Sequence, residues 1–92
     1  MEAFEIAQLI VARQRSGEAY LEFLRVPSFS LSAGLYALPA GGVDSQEPHT
    51  EDEVYYVVSG RALIRVNGQD SPVETGTVVY VKAGAEHRFH TI

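Results

Sequence analysis

Histidine and carboxylate side chains stand together in one short stretch, QEPHTEDE, at residues 46–53. Imidazole and carboxylate groups can hold a divalent metal ion, or they can act as acid and base. The stretch has one histidine, His49, among four acidic residues, Glu47, Glu51, Asp52 and Glu53. Carboxylates at this spacing repel one another, so the stretch is either a solvated acidic turn or a site for a cation.

The strand predicted after this stretch decides which acid faces inward. In an extended strand Glu53, Tyr55 and Val57 share one face, which places the Glu53 carboxylate among apolar groups. Such a carboxylate is costly unless it is paired, protonated or bound to a metal. His49 and Glu53 would lie ~13 Å apart in a fully extended chain, so a shared ion requires a turn or bulge at residues 50–52.

A second histidine, His87, follows a glycine turn and begins the segment HRFHTI. We expect it to start a strand beside the strand of Glu53. His90 lies three residues further on, and in an extended strand it points to the opposite face, so we expect a surface histidine. Two imidazoles and a carboxylate, without thiolate, suit Fe(II), Mn(II), Ni(II), Co(II) or Zn(II).

Composition narrows the classes of partner. The chain has 92 residues, 46% of them hydrophobic, which suits one small domain with a core. Its net charge is -5 and Lys82 is its single lysine, so we expect no nucleic-acid partner. The absence of cysteine excludes disulfides and thiolate metal sites, and it is consistent with the cytoplasm.

The first residues, MEAFEIAQLIVARQRSG, begin acidic and lack the basic start of a secretory signal. No stretch reaches the ~20 apolar residues that span a bilayer. We therefore expect an intracellular protein without membrane association.

The pattern of apolar residues predicts one helix followed by strands only. Apolar and polar positions alternate with helical spacing over residues 3–15, and Ser16-Gly17 ends that segment. Strand-like runs follow, with turn signals every eight to twelve residues, and Asn67-Gly68 is the strongest hairpin signal. The runs cover residues 19–26, 29–39, 53–58, 61–66, 69–73, 77–81 and 87–92. This arrangement indicates an all-β barrel or sandwich in a single domain, 1–92.

Two spaced motifs in the second half of the chain resemble those of the cupin superfamily. The first cupin motif reads Gly, five residues, His, one, His, three or four, Glu, six, Gly. The second reads Gly, five, Pro, one, Gly, two, His, three, Asn. The matching places are occupied here by Gly41, Glu47, His49, Glu53 and Gly60, and then by Gly76, Lys82, Gly84, His87 and Thr91.

The resemblance covers residues 41–91 and implies a small jelly-roll β-barrel with a metal held inside it. It implies His49, Glu53 and His87 as ligands of one divalent transition metal. Glu47 stands where the family has its first histidine, so it is a candidate fourth ligand. Without Glu47, two histidines and one carboxylate leave open positions for substrate or oxygen.

Three functions remain open from the sequence. The resemblance implies dioxygenases, isomerases and decarboxylases that act on small oxygenated molecules. The same barrel could bind a small molecule without turnover, as a sensor does. It could also be metal-free, with the histidines and acids forming a hydrogen-bonded polar cluster.

We also expect a homodimer. Cupins of this kind usually continue past the second motif with one or two more strands, whereas this sequence ends at Ile92. Either the sequence is a truncated form or a partner subunit covers the sheet edge, which is otherwise a liability.

Overall fold

The computed structural model describes residues 1–27 and 31–92, which form one helix and seven antiparallel strands. This confirms the prediction of a mainly β fold preceded by a helix. Within the described ranges, no helix has the length and apolar character needed to cross a membrane. The elements are α1 (Ile6–Ser16), β1 (Tyr20–Arg25), β2 (Ser32–Tyr36), β3 (Glu53–Tyr56), β4 (Arg61–Val66), β5 (Gln69–Glu74), β6 (Val78–Val81) and β7 (His87–His90).

Two compact units divide these elements, Met1–Ala37 and Leu38–Ile92. The first unit holds α1, β1 and β2, and the second holds β3 to β7. A single domain that spans residues 1–92 stays a prediction.

In the first unit, the helix begins three residues later than the sequence pattern predicts. Glu5 is its N-cap residue and makes no side-chain capping bond, so the early glutamates precede the first turn rather than lying in it. The predicted end is confirmed, because Gly17 is the C-cap and its N–H donates to the carbonyl of Gln14. Phe4, just before the helix, packs edge-on against Phe23 of β1 with ring centroids 4.9 Å apart.

The strands β1 and β2 form an antiparallel pair with a bulge between Glu22 and Leu24. The Tyr20 ring lies over Gly34 of β2, in space that a Cβ at that position would occupy. A side chain larger than glycine at this point would therefore require the Tyr20 ring to move. The predicted run for the second strand includes Phe29 and Ser30, which lie outside the described residues.

The second unit consists of two antiparallel sheets. One sheet pairs β3 with β6, and the other has the order β5-β4-β7. The β4–β5 hairpin turns at Asn67-Gly68, where both residues have positive φ, 48° and 83°. That backbone is the one a type I′ turn requires, so the predicted hairpin is confirmed.

Side chains from both sheets meet in one small core. The buried apolar residues among those described are Ile64 on β4, Val73 on β5 and Val81 on β6. Tyr55 of β3 and Phe89 of β7 pack at its edge, with their rings 5.2 Å apart and nearly perpendicular. This core therefore holds β3 and β7, whose first residues are Glu53 and His87.

Truncation of the central core side chain should destabilise the fold strongly. Ile64 is 2% exposed, and Ile-to-Ala changes in such positions cost about 2–5 kcal/mol because a cavity remains. We expect this loss for Ile64→Ala in urea unfolding. Arg61→Ala, at an exposed position of the same strand, should stay within about 0.5 kcal/mol. An equal effect of the two changes would contradict the placement of the core.

An ion-pair network lies on the outer surface of the β5-β4-β7 sheet. Arg65 donates two hydrogen bonds to Asp70, at 2.9 and 3.0 Å, and His90 Nε2 donates a third, at 2.9 Å. The bond from Arg65 and then that from His90 lower the pKa of Asp70 to about 2. His90 thus serves a surface pair, as its strand position predicts.

The lowered pKa of Asp70 makes the stability of the fold depend on pH. Because the folded pKa is lower than the ordinary value of 3.8, the network stabilises the fold above that value. Its contribution is lost as the pH falls toward about 2. We expect the carboxyl ¹³C resonance of Asp70 to titrate near 2 by NMR, and at a higher pH in Arg65→Ala, where only the His90 bond still lowers the pKa. A wild-type midpoint near 4 would contradict the network.

Candidate metal centre

Three side chains that can bind a metal converge inside the second unit. His49 lies in the loop before β3, Glu53 is the first residue of β3, and His87 is the first residue of β7. The prediction that the strand of His87 lies beside that of Glu53 is wrong, because β7 pairs with β4 and β3 pairs with β6. The two residues instead approach each other from different sheets.

The predicted turn between His49 and Glu53 is present as a bend at Thr50 and Glu51. Asp52 holds this bend through a distant partner rather than a local one, because its Oδ1 accepts the Ala83 N–H at 2.8 Å. The Gly84 N–H in turn donates to the carbonyl of His49 at 2.8 Å. The loop that carries His49 is thereby fastened to the loop that precedes His87.

The three ligand atoms lie close enough to share one ion. The Glu53 Oε1 atom is 3.6 Å from His49 Nε2 and 3.5 Å from His87 Nε2. One ligand atom from each of the three residues lies within 4.8 Å of the other two. His49 is exposed, Glu53 is half-buried and His87 is buried, so the group opens toward solvent on the side of His49.

The ring orientation of His87 is fixed by the backbone. Its Nδ1 atom is 2.9 Å from the carbonyl oxygen of Ala85, which can only accept a hydrogen bond. The proton of the neutral ring is therefore on Nδ1, and the lone pair is on Nε2. This backbone bond to the far nitrogen is the usual support of a metal-binding histidine.

Tyr55 adds a hydroxyl group to the cluster. Its oxygen lies 2.7 Å from Glu53 Oε2, 2.8 Å from Gln46 Oε1 and 3.0 Å from His87 Nε2. Burial, followed by the hydrogen bond to the Glu53 carboxylate, raises the pKa of Tyr55 well above its usual range. The side chain is thus a neutral phenol that has one proton to donate.

One phenolic proton faces three acceptors. Glu53 Oε2, Gln46 Oε1 and the His87 Nε2 lone pair all point at the Tyr55 hydroxyl, which can donate to only one of them. Gln46 Oε1 also lies 3.3 Å from His87 Nε2, a contact that needs a proton or a cation between two acceptors. An acceptor left without a donor is costly, so a cation or a second proton on His87 would complete the hydrogen bonding of this cluster.

Asp44 and Gln46 belong to this network, although sequence analysis did not predict a role for either residue. Asp44 is 4% exposed and accepts the Phe89 N–H at 2.8 Å. Gln46 donates to the same carboxylate from its backbone N–H at 3.1 Å and from its side-chain Nε2 at 2.6 Å. The Asp-x-Gln spacing is compatible with an Asx turn, but such turns are common in solvated loops and do not indicate burial.

The other predicted site residues lie elsewhere. Glu47, the candidate fourth ligand, has an exposed side chain and is not part of the three-residue group. Glu51, in the bend, and Asp52, directly after it, are both exposed, as expected for residues at a turn. Lys82 is exposed as well, in the turn before β7.

Comparison with known proteins places the chain in a family. Residues 34–92 match the family described as Cupin domain. The chain belongs to the cupin family. No solved structure gives a significant match to it.

Two curated proteins are similar to this cupin. An uncharacterized protein of Streptomyces coelicolor is 52% identical over 92 residues, which are 100% of this chain and 86% of that protein. An oxalate-binding protein of Thermotoga maritima is 29% identical over 90 residues, which cover 90% of this chain and 74% of that protein.

The cupin motifs explain the local backbone around the site. The four motif glycines all have positive φ, between 72° and 95°, which side chains with a Cβ rarely adopt: Gly41, Gly60, Gly76 and Gly84. These turns close the loops on either side of β3 and β6 and start the segment that leads to His87. The motif spacing therefore sets where the three ligand atoms can meet.

Proposed function

We propose that this cupin holds one divalent transition metal with His49, Glu53 and His87 and uses it to bind a small, oxygen-rich organic anion. The observation that carries the proposal is the convergence of the three ligand atoms within 4.8 Å, with the His87 lone pair directed into the group. The surplus of acceptors around the Tyr55 hydroxyl supports it, because a cation satisfies them without an additional proton.

The donor atoms fit several metals. Two imidazole nitrogens and one carboxylate oxygen suit Fe, Mn, Ni, Co or Zn, and soft thiolate-dependent sites are excluded because the chain has no cysteine. When bound, such an ion supplies a positive centre with open positions for oxygen donors. The Glu53 carboxylate is the single charged ligand of the three, so a divalent ion keeps a net positive charge toward an anion.

The class of ligand is inferred from a relative together with this charge. The similar Thermotoga maritima protein is named for binding oxalate, a small dicarboxylate. Carboxylate oxygens are suitable donors for the metals considered above. The protein's own part would be to hold the ion, to keep the Tyr55 proton beside Glu53, and to keep the His87 side of the group dry.

Catalysis is the second candidate. Two histidines and one carboxylate with open positions are the ligand set of non-haem iron oxygenases, and the cupin fold carries isomerases and decarboxylases as well. The two candidates differ in one measurable respect, because a binding protein returns its ligand unchanged. Incubation with oxalate under air, followed by quantification of oxalate, separates them.

The metal proposal predicts a histidine-specific effect. Removal of His87 should abolish binding of Mn²⁺, because its Nε2 is one of three donors. At a free Mn²⁺ concentration about 100 times Kd, wild type should gain about 2.7 kcal/mol. That corresponds to a rise in Tm of ~10–20 °C for a chain of this size. His87→Ala should show no rise.

The control for that experiment is His90→Ala. It removes a histidine from the same strand that pairs with Asp70 and not with the metal-binding group, so its response to Mn²⁺ should equal that of wild type. If Mn²⁺, Fe²⁺, Co²⁺, Ni²⁺ and Zn²⁺ all leave the wild-type Tm unchanged, the polar cluster is metal-free and the proposal is wrong.

We also propose that two copies associate through the outer face of β3 and β6. Each of these strands has one neighbouring strand among the described residues. Two cross-strand pairs, Val54–Tyr80 and Tyr56–Val78, lie on this face, and their side chains are 61–70% exposed. A contiguous exposed apolar patch of this kind is typical of an interaction surface.

Light scattering coupled to size exclusion tests the homodimer. We expect about twice the chain mass of 10.1 kDa at micromolar concentration. Tyr56→Lys should shift the mass to that of a monomer, because a charge in an apolar interface is costly. Thr75→Lys, in the exposed turn between β5 and β6, is the matched control and should stay dimeric. A monomeric wild type would refute the assignment.

A further inference from the structure

The three-residue group has one prominent neighbour that the cupin motifs do not assign. Gln46 directly precedes the position where the first motif expects a histidine and this chain has the exposed Glu47. Its side-chain oxygen is the atom that reaches inward, 3.3 Å from His87 Nε2. A side-chain amide has two possible orientations, so the partner of its nitrogen decides which atom faces the site.

The Asp44 carboxylate determines the orientation of the Gln46 amide. It accepts the Gln46 side-chain Nε2 at 2.6 Å, and a carboxylate without a proton can only accept. If the amide were rotated by 180°, its oxygen would face the carboxylate oxygen and both would be unsatisfied. Asp44 is itself fixed, because it is 4% exposed and also accepts the Phe89 N–H of β7.

The opposite end of the amide is therefore a fixed acceptor inside the site. Gln46 Oε1 can accept the Tyr55 proton at 2.8 Å, but Glu53 Oε2 competes for the same proton at 2.7 Å. The charged acceptor is the stronger of the two. An amide oxygen that loses this competition still faces the lone pair of His87, and a shared cation would satisfy both atoms.

We propose that Gln46 supplies its side-chain oxygen as a fourth donor to the cation held by His49, Glu53 and His87, and that Asp44 is the residue that orients it. This inference rests on the proposed metal site. It replaces Glu47 in the donor set by a neutral oxygen, so the group offers two nitrogens, one carboxylate and one amide. Such a set keeps the net positive charge on a divalent ion that binding of an anionic ligand requires.

The test is the affinity for Mn²⁺ alone, measured by isothermal titration calorimetry on the full chain. Gln46→Leu removes the oxygen and should raise Kd about 10–100-fold, the range seen when a supporting group of a metal site is lost. Glu47→Gln is the matched control on the adjacent residue and should change Kd less than twofold. His87→Ala should remove binding.

A double-mutant comparison separates a ligand from a residue that only positions Tyr55. If Gln46 acted through the Tyr55 hydroxyl, Gln46→Leu would have no further effect in a Tyr55→Phe background. We expect the same 10–100-fold loss in both backgrounds. Absence of the loss in the Tyr55→Phe background overturns the role as a ligand.

Wild-type protein gives an answer even if the Gln46 variant does not fold. On titration with Zn²⁺, the side-chain carbonyl ¹³C resonance of Gln46 should shift together with the ring resonances of His49 and His87, while that of Glu47 stays in place. Histidine shifts without a shift at Gln46 overturn this inference and leave the metal site intact. No Mn²⁺ or Zn²⁺ binding by wild type overturns the metal site and this inference together.

Discussion

The excess of hydrogen-bond acceptors over donors around His87 Nε2 is the constraint on which the rest of the site depends. The backbone carbonyl of Ala85 takes the one proton of the neutral ring, and the lone pair then faces an amide oxygen, a carboxylate and a phenol. A positive group that completes such a set stabilises it. The buried Asp44 fixes the orientation of the Gln46 amide, and the neutral Tyr55 can donate its one proton to only one of the acceptors around it.

Two sheets are needed to create this arrangement. Glu53 and Tyr55 lie on one face of β3, and His87 begins β7, which belongs to the other sheet. The apolar residues between the sheets hold these strands in place, so the group of His49, Glu53 and His87 lies at the rim of the core rather than within it. A single sheet would place the same residues side by side along one surface, where water would satisfy them.

The sequence could predict which three side chains converge because the cupin motif is a pattern of spacing as well as of residue type. The positive-φ glycines fix the turns, and His49, Glu53 and His87 then occupy defined places relative to them. The alternation in β3 predicted that Glu53 and Tyr55 face inward, and the Asn67-Gly68 turn fixed one hairpin. In each case a local rule of backbone geometry was sufficient.

The parts that sequence reasoning missed depend on contacts between distant segments. Strand pairing of β7 with β4 rather than β3 is a choice of topology that periodicity does not reveal. Asp44 and Gln46 look like ordinary loop residues until the Phe89 backbone N–H and the His87 ring come into contact with them. Asp52 resembles a local turn former, yet its partner is the backbone of Ala83.

The hydrogen bonds between the His49 loop and the loop before His87 have a consequence for the entropy of binding. The Asp52–Ala83 and His49–Gly84 contacts close a long segment of chain through protein groups alone. The closure entropy, which grows with the logarithm of loop length, is thus part of the folding equilibrium. A substitution that breaks either contact should therefore lower folding stability and also loosen the two loops that carry His49 and lead to His87.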